Sequence, residues 1–147
     1  MNEQHLIDEI LAKTKTIAVV GLSDKPDRAS YGVSAQMQKR GYRIAPVNPS
    51  VDSVLGEKCY ASLRDIPFRV DLVNVFRLPQ FVPQIVEDTI AIGAPFLWLQ
   101  EGIVHPEATA TAEAHGIRVV ADRCIYKEHL RWSAEQHTNQ RSMSPPG

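Results

Sequence analysis

Apolar positions along this chain fall into two alternating patterns, one at helical spacing and one in short, nearly continuous runs. Leu6, Ile7, Ile10 and Leu11 recur at helical spacing, so residues 3–13 read as an amphipathic helix laid against the domain. Residues 16–20 form a β-branched run, read as a first strand. A polar turn follows, then a helix over 31–40 that Gly41 stops. Residues 42–47 read as a second strand, with Pro46 at its C-terminal end because proline cannot donate to a sheet ladder. Asn48-Pro49 breaks the chain, and 50–67 reads as a loop with one short helical turn around 62–65. A third strand over 71–76 turns at 77–79 into a helix that reaches residue 92, with Val82, Ile85, Val86 and Ile90 on its buried side. Residues 95–99 make a fourth strand. A helix over 107–115 precedes a fifth strand over 118–121, and a last helix runs from 125 to about 135.

Strands alternating with helices call for a parallel sheet covered on both faces, so the fold class is α/β, a Rossmann-like doubly wound domain of about five strands. Right-handed crossovers lead to the expected strand order 3-2-1-4-5, which places the switch point between strands 1 and 4. The domain is expected to span residues 1–136. Residues 137–147, rich in Gln, Ser and Pro, are expected to form a disordered tail.

Composition narrows the partners. A formal net charge of −1 over 147 residues gives no electrostatic case for nucleic acid or an acidic membrane surface. The longest apolar runs fall far short of the roughly 20 residues that span a bilayer. The N-terminus lacks the basic and apolar regions of a signal peptide, so a cytoplasmic protein with reduced thiols is expected. No metal site is expected: the five histidines show no ligand spacing, and Cys59 and Cys124 form no Cys-x-x-Cys pair. Nothing names a protein partner.

The candidate chemistry lies at the strand exits, which all fall on one edge of such a sheet. The first is Ile17-Ala-Val-Val-Gly-Leu-Ser-Asp-Lys-Pro-Asp-Arg-Ala-Ser30. A strand, a glycine turn and a helix N-terminus converge there into an anion site, to which Ser23, Lys25 and Arg28 add a hydroxyl and two cations. The dinucleotide pattern G-x-G-x-x-G is absent, since Ser23 and Pro26 stand two and five residues after Gly21. At the second exit, Asn48-Pro49 stands where an NAD site places an acid, which suits a phosphorylated ribose such as that of coenzyme A or NADP; Asn48 capping a turn is the alternative. Phe76 and Arg77 offer an apolar platform beside a guanidinium, or Phe76 merely closes its strand. Gln100-Glu-Gly102 puts a small residue where backbone could meet a ligand. Cys124 and Cys59 read as structural thiols, with Cys124 on an edge strand away from the switch point. Thiol chemistry at either one, in redox or acyl transfer with bound CoA, is the alternative.

These residues carry a resemblance. The turn over 19–33, Pro46-Val-Asn-Pro49, Leu55-Gly-Glu-Lys-Cys-Tyr60, Asp71-Leu-Val-Asn-Val-Phe-Arg77, Leu97-Trp-Leu-Gln100 and Asp122-Arg-Cys124 resemble the small stand-alone CoA-binding proteins. Those in turn are similar to the N-terminal CoA-binding domain of the succinyl-CoA synthetase α subunit. The resemblance implies coenzyme A or an acyl-CoA as ligand, with its phosphates at the first turn and the remainder along the exits of strands 2, 3 and 4. Carried onto matching positions, it nominates Gly21, Leu22, Ser23, Asp24, Lys25, Arg28, Asn48, Pro49, Phe76, Arg77, Gln100 and Glu101 as the binding residues, and no catalytic residue. It does not reach the synthetase's second domain with its phosphorylated histidine, so ligase activity is not implied.

Overall fold

The computed structural model describes residues 2–143. Five parallel strands form the sheet: β1 (Thr16–Val20), β2 (Arg43–Val47), β5 (Leu72–Val75), β6 (Phe96–Leu99) and β7 (Arg118–Val120). Five α-helices cover it: α1 (Glu3–Lys13), α2 (Ala29–Lys39), α3 (Val82–Ile92), α4 (Pro106–Ala114) and α5 (Ile125–Met143). Strand alternation sorts the core into two layers. Ile17, Val19, Ile44, Leu72 and Trp98 pack with Ile7, Ile10 and Leu11 of α1, Met37 of α2 and Ile125 of α5. Ala18, Ala45, Val73, Val75, Leu97 and Leu99 pack on the other face with Val82, Ile85 and Val86 of α3 and Ala108 and Ala112 of α4. The doubly wound α/β architecture is therefore the one the sequence implies.

The strand order is not. It is β2-β1-β5-β6-β7, so the third strand of the sheet pairs with β1, Ile17 opposite Leu72, and not with β2. The expected 3-2-1-4-5 order becomes 2-1-3-4-5 in the same counting, and the winding reverses between β1 and β5. The cause lies on the outer edge of β2. Tyr60 N–H donates to the Pro46 carbonyl at 2.9 Å and Asn48 N–H to the Tyr60 carbonyl at 2.9 Å, so the linker occupies that edge. Pro46 sits inside β2 opposite Val19, and its missing donor is tolerated because β2 is an edge strand.

Residues 50–67 hold more structure than a loop with one turn. β3 (Ser53–Val54) and β4 (Glu57–Lys58) form a small antiparallel hairpin, turned through Leu55 and Gly56, both at positive φ, ahead of a 3-10 turn at Leu63–Asp65. On α3, Thr89 is fully buried, with its hydroxyl donating to the Ile85 carbonyl, while the expected core residue Ile90 is only half-buried. Helix α5 runs on to Met143, into the stretch expected to be a disordered tail. No Gly or Pro interrupts the sequence between Ile125 and Met143, and the Pro145-Pro146 pair comes later. Residues 144–147 lie outside the described residues.

α5 also carries a buried imidazole. His129 packs edge-to-face between Tyr42 and Trp132, at 5.5 and 5.4 Å between ring centroids, and its Nδ1 has no hydrogen-bond partner among the described residues. Burial lowers its pKa below the ordinary 6.5, and the Arg40 guanidinium lowers it further. A group with a depressed folded-state pKa contributes stability above its unfolded value and loses it as pH falls through the folded one. Urea midpoints are therefore expected to fall as pH drops below about 6.5, and His129→Phe is expected to flatten that slope. A wild-type midpoint that does not move over this range contradicts the assignment.

Candidate functional site

Strand β1 delivers the chain into a tightly built turn. Gly21 N–H donates to the Val47 carbonyl of β2 at 2.9 Å, and Phe76 N–H donates to the Val20 carbonyl at 2.9 Å, so the exits of the three neighbouring strands are tied together. Gly21 has φ +87°, and a Cβ there would lie 2.5 Å from the Phe76 carbonyl oxygen and 2.9 Å from Arg77 Cδ. The close approach that glycine permits is thus to the neighbouring strand exit. Leu22 is fully buried in the core, leaving only its backbone for a ligand.

The turn is braced from within. Ser23 N–H donates to Ser30 Oγ at 3.0 Å, and Ser23 Oγ accepts from Lys25 N–H at 3.1 Å. Ser23 is therefore a building element of the turn, and buried Ser30 is its partner, which the sequence reading did not single out. Arg28 occupies the N-cap of α2 with no side-chain capping bond, so the first-turn N–H groups gain no side-chain acceptor there. Among the described residues, the exposed side chains of Lys25 and Arg28 make no hydrogen bond or ion pair, while Asp24 lies exposed in the same turn. Gly21, Ser23, Lys25, Arg28, Ala29, Ser30 and Phe76 line a cleft of about 390 Å³.

Asn48 braces rather than reaches out. Its Nδ2 donates to the Leu22 carbonyl at 3.0 Å and its Oδ1 accepts from Ser50 N–H at 2.9 Å, which joins the first and second exits. Pro49, exposed beside it, lines a smaller pocket of about 210 Å³ with Val20, Leu63, Arg77, Phe81 and Ile85. Arg77 lies on the Phe81 ring, guanidinium carbon 4.1 Å from the centroid, so its flat face is already stacked.

A larger cleft, about 570 Å³, opens between the start of α2 and the exits of β5, β6 and β7. Its lining includes Ala29, Val33, Phe76, Arg77, Gln100 and Cys124. It adjoins the cationic cleft, with Ala29 and Phe76 common to both. Gln100 is buried at its floor, its Nε2 donating to Asn74 Oδ1 at 2.7 Å. Asn74 is a buried strand residue that the sequence reading passed over. Glu101 is exposed, and its carboxylate accepts from Lys127 at 3.1 Å. Gly102 N–H donates to Asp122 Oδ1 at 2.7 Å, and Trp98 Nε1 donates to the Arg123 carbonyl at 2.8 Å, which fixes the exit of β7 against that of β6.

Those contacts carry Cys124 into the wall of the large cleft, which corrects the expectation that it stands apart from the site. The strand order is not the reason: with β5 beside β1 the switch point lies one strand farther from β7, and it is the turn after β7, held by those two bonds, that returns Cys124 to the cleft at the start of α5. Arg123 does not serve the thiol; it pairs with Glu3 at 2.8 Å. Cys59 differs. Burial pushes its thiol pKa up, and the carboxylates of Asp24 and Asp52 push it the same way. Among the described residues no cluster of three His, Cys, Asp or Glu side chains could hold a metal ion, and no helix is long and apolar enough to cross a membrane.

A parallel sheet that opens into adjoining clefts at its switch point defines a Rossmann-like α/β domain with its ligand edge at the strand C-termini. Residues 15–130 match the CoA binding domain family, and the chain belongs to that family. Among its relatives, the uncharacterized protein YneT of Bacillus subtilis is 46% identical over 123 residues, covering 84% of this chain and 91% of YneT. A hypothetical protein from Pyrococcus horikoshii OT3 superposes with a TM-score of 0.87 at 39% identity, over 90% of this chain and 93% of that one. The ADP-forming acetate–CoA ligase of Methanocaldococcus jannaschii is 24% identical over 130 residues, which are 82% of this chain and 18% of the ligase.

Proposed function

We propose that this chain binds coenzyme A or an acyl-CoA along the C-terminal edge of the sheet, without catalysis of its own. The observation that carries the reading is the pairing of the two adjoining clefts. One has two cations with no protein partner at a helix N-terminus; the other is larger and chiefly apolar. A polyanionic head joined to a long, weakly polar arm is the ligand chemistry that uses both. The phosphates belong with Lys25, Arg28 and the first turn of α2. The pantetheine arm follows Phe76 toward Gln100 and Gly102, and the small pocket beside Pro49 takes the adenine. NADP fits less well, because it has no such arm and the turn lacks the dinucleotide glycines. The free thiols Cys59 and Cys124 suit a reducing compartment, and we place the protein in the cytoplasm.

Amide chemical shifts of the labelled protein titrated with CoA test the placement. Shifts confined to residues 20–30, 47–49, 61–63, 76–88, 100–103 and 124 are expected. Perturbation centred on the opposite edge of the sheet contradicts it.

A second reading is favoured by the position of Cys124. Its thiolate can attack one sulfur of CoA disulfide, forming a protein–CoA mixed disulfide and releasing the other half as CoA thiolate. Incubation with CoA disulfide is expected to add one CoA at Cys124, by intact mass, in wild type and Cys59→Ser but not in Cys124→Ser. The raised pKa of Cys59 keeps it protonated and slow. An adduct that persists in Cys124→Ser contradicts this assignment.

A further inference from the structure

We propose that the ligand is an acyl-CoA carrying a hydrophobic acyl chain, and that the outer end of the large cleft holds that chain. This rests on the reading that CoA binds at this edge. The outer wall of the cleft includes Leu78, Pro79, Phe81 and Ile103. Leu78 is 63% exposed and Phe81 38%, among the most exposed large apolar side chains of the described residues. Large apolar side chains grouped on the rim of a cleft, where a folded chain would otherwise bury them, mark surface that a ligand covers.

The rim is built to stay open. Leu78 to Phe81 is a tight turn, with Phe81 N–H donating to the Leu78 carbonyl at 3.0 Å and Pro79 fixing its first residue. The Arg77 guanidinium stacked on the Phe81 ring holds that ring at the rim. Across the cleft, Ile103 N–H donates to the Gln100 carbonyl at 3.0 Å, which sets the Gly102-Ile103 wall. The polar side chains between these walls are engaged: Gln100 with Asn74, and Glu101 with Lys127. Beyond the phosphate turn, the cleft therefore presents mostly apolar surface. The hydrocarbon chain of an acyl group asks for no hydrogen-bond partner, and in an extended ligand it lies farthest from the phosphates.

Calorimetric titration with free CoA, acetyl-CoA, hexanoyl-CoA and octanoyl-CoA tests the proposal in wild type and in Leu78→Asp, with Leu78→Ser as a milder change. Affinity is expected to rise with chain length, by at most roughly fourfold per buried methylene, making octanoyl-CoA at least about tenfold tighter than acetyl-CoA. Within each variant the octanoyl-to-acetyl ratio is expected to collapse toward one, a readout independent of the folded fraction. Equal affinity of wild type for all four ligands overturns the acyl site while leaving the CoA reading in place. Failure of every CoA species to bind overturns both. A drop in solution mass on Leu78→Asp with the ratio unchanged would mean that a second copy of the chain covers the rim, and would overturn the acyl site as well.

Discussion

Gly21→Ala is expected to be among the most damaging single substitutions at this sheet edge, lowering stability by roughly 2–4 kcal/mol and abolishing ligand binding in what remains folded. Two independent terms combine. The backbone at φ +87° lies in the region that disfavours any L side chain. The new methyl would also sit 2.5 Å from a backbone oxygen, that of Phe76, which cannot swing away as a side chain could. Phe76 N–H is bonded to the Val20 carbonyl, so relief requires prying β5 from β1 where the switch point is formed. Urea unfolding with an unchanged m-value and a lowered midpoint is the expected signature. A midpoint within experimental error of wild type would show that the two exits part without cost.

Arg28→Ala acts on the ligand and not on the fold. The side chain is exposed and makes no hydrogen bond or ion pair among the described residues, so the thermal midpoint is expected to hold. A charge-assisted contact to phosphate is worth roughly 1.5–3 kcal/mol, and its loss is expected to weaken CoA binding about 10- to 150-fold. Lys25→Ala is expected to act in the same direction, and the affinity of both variants is expected to fall less steeply with salt than that of wild type. Wild-type affinity in Arg28→Ala would remove the phosphates from this turn.

The strands and helices were legible because each is bounded by its own chemistry: apolar runs end at Gly21, Asn48 and Gln100, and helices stop at Gly41, Gly93 and Gly116. Strand order was not, since periodicity says nothing about neighbours. One residue did carry the information. Pro46 falls inside β2, and a strand lacking one donor belongs at an edge, which argues against placing it between two partners. The hairpin over residues 53–58 escaped because its turn puts Leu55 at φ 56°, a conformation leucine rarely adopts and no pattern announces. At the site, the cations Lys25 and Arg28 were readable from charge and position. The braces were not: Ser30 under Ser23 depends on how the turn closes on itself, and Asn74 under Gln100 on a contact between strand residues far apart in the chain. The place of Cys124 was not legible for the same reason: the bonds from Gly102 and Trp98 to Asp122 and Arg123, which draw the β7 exit to the cleft, span at least 20 residues.

The central claim is that the cationic turn and the large cleft together recognise coenzyme A. Calorimetric titration of the full chain with CoA, NAD and NADP under one set of conditions tests it most directly. A single CoA site is predicted, at least about tenfold tighter than either dinucleotide. Binding of NAD or NADP as tight as that of CoA, or no binding of CoA at all, would contradict it.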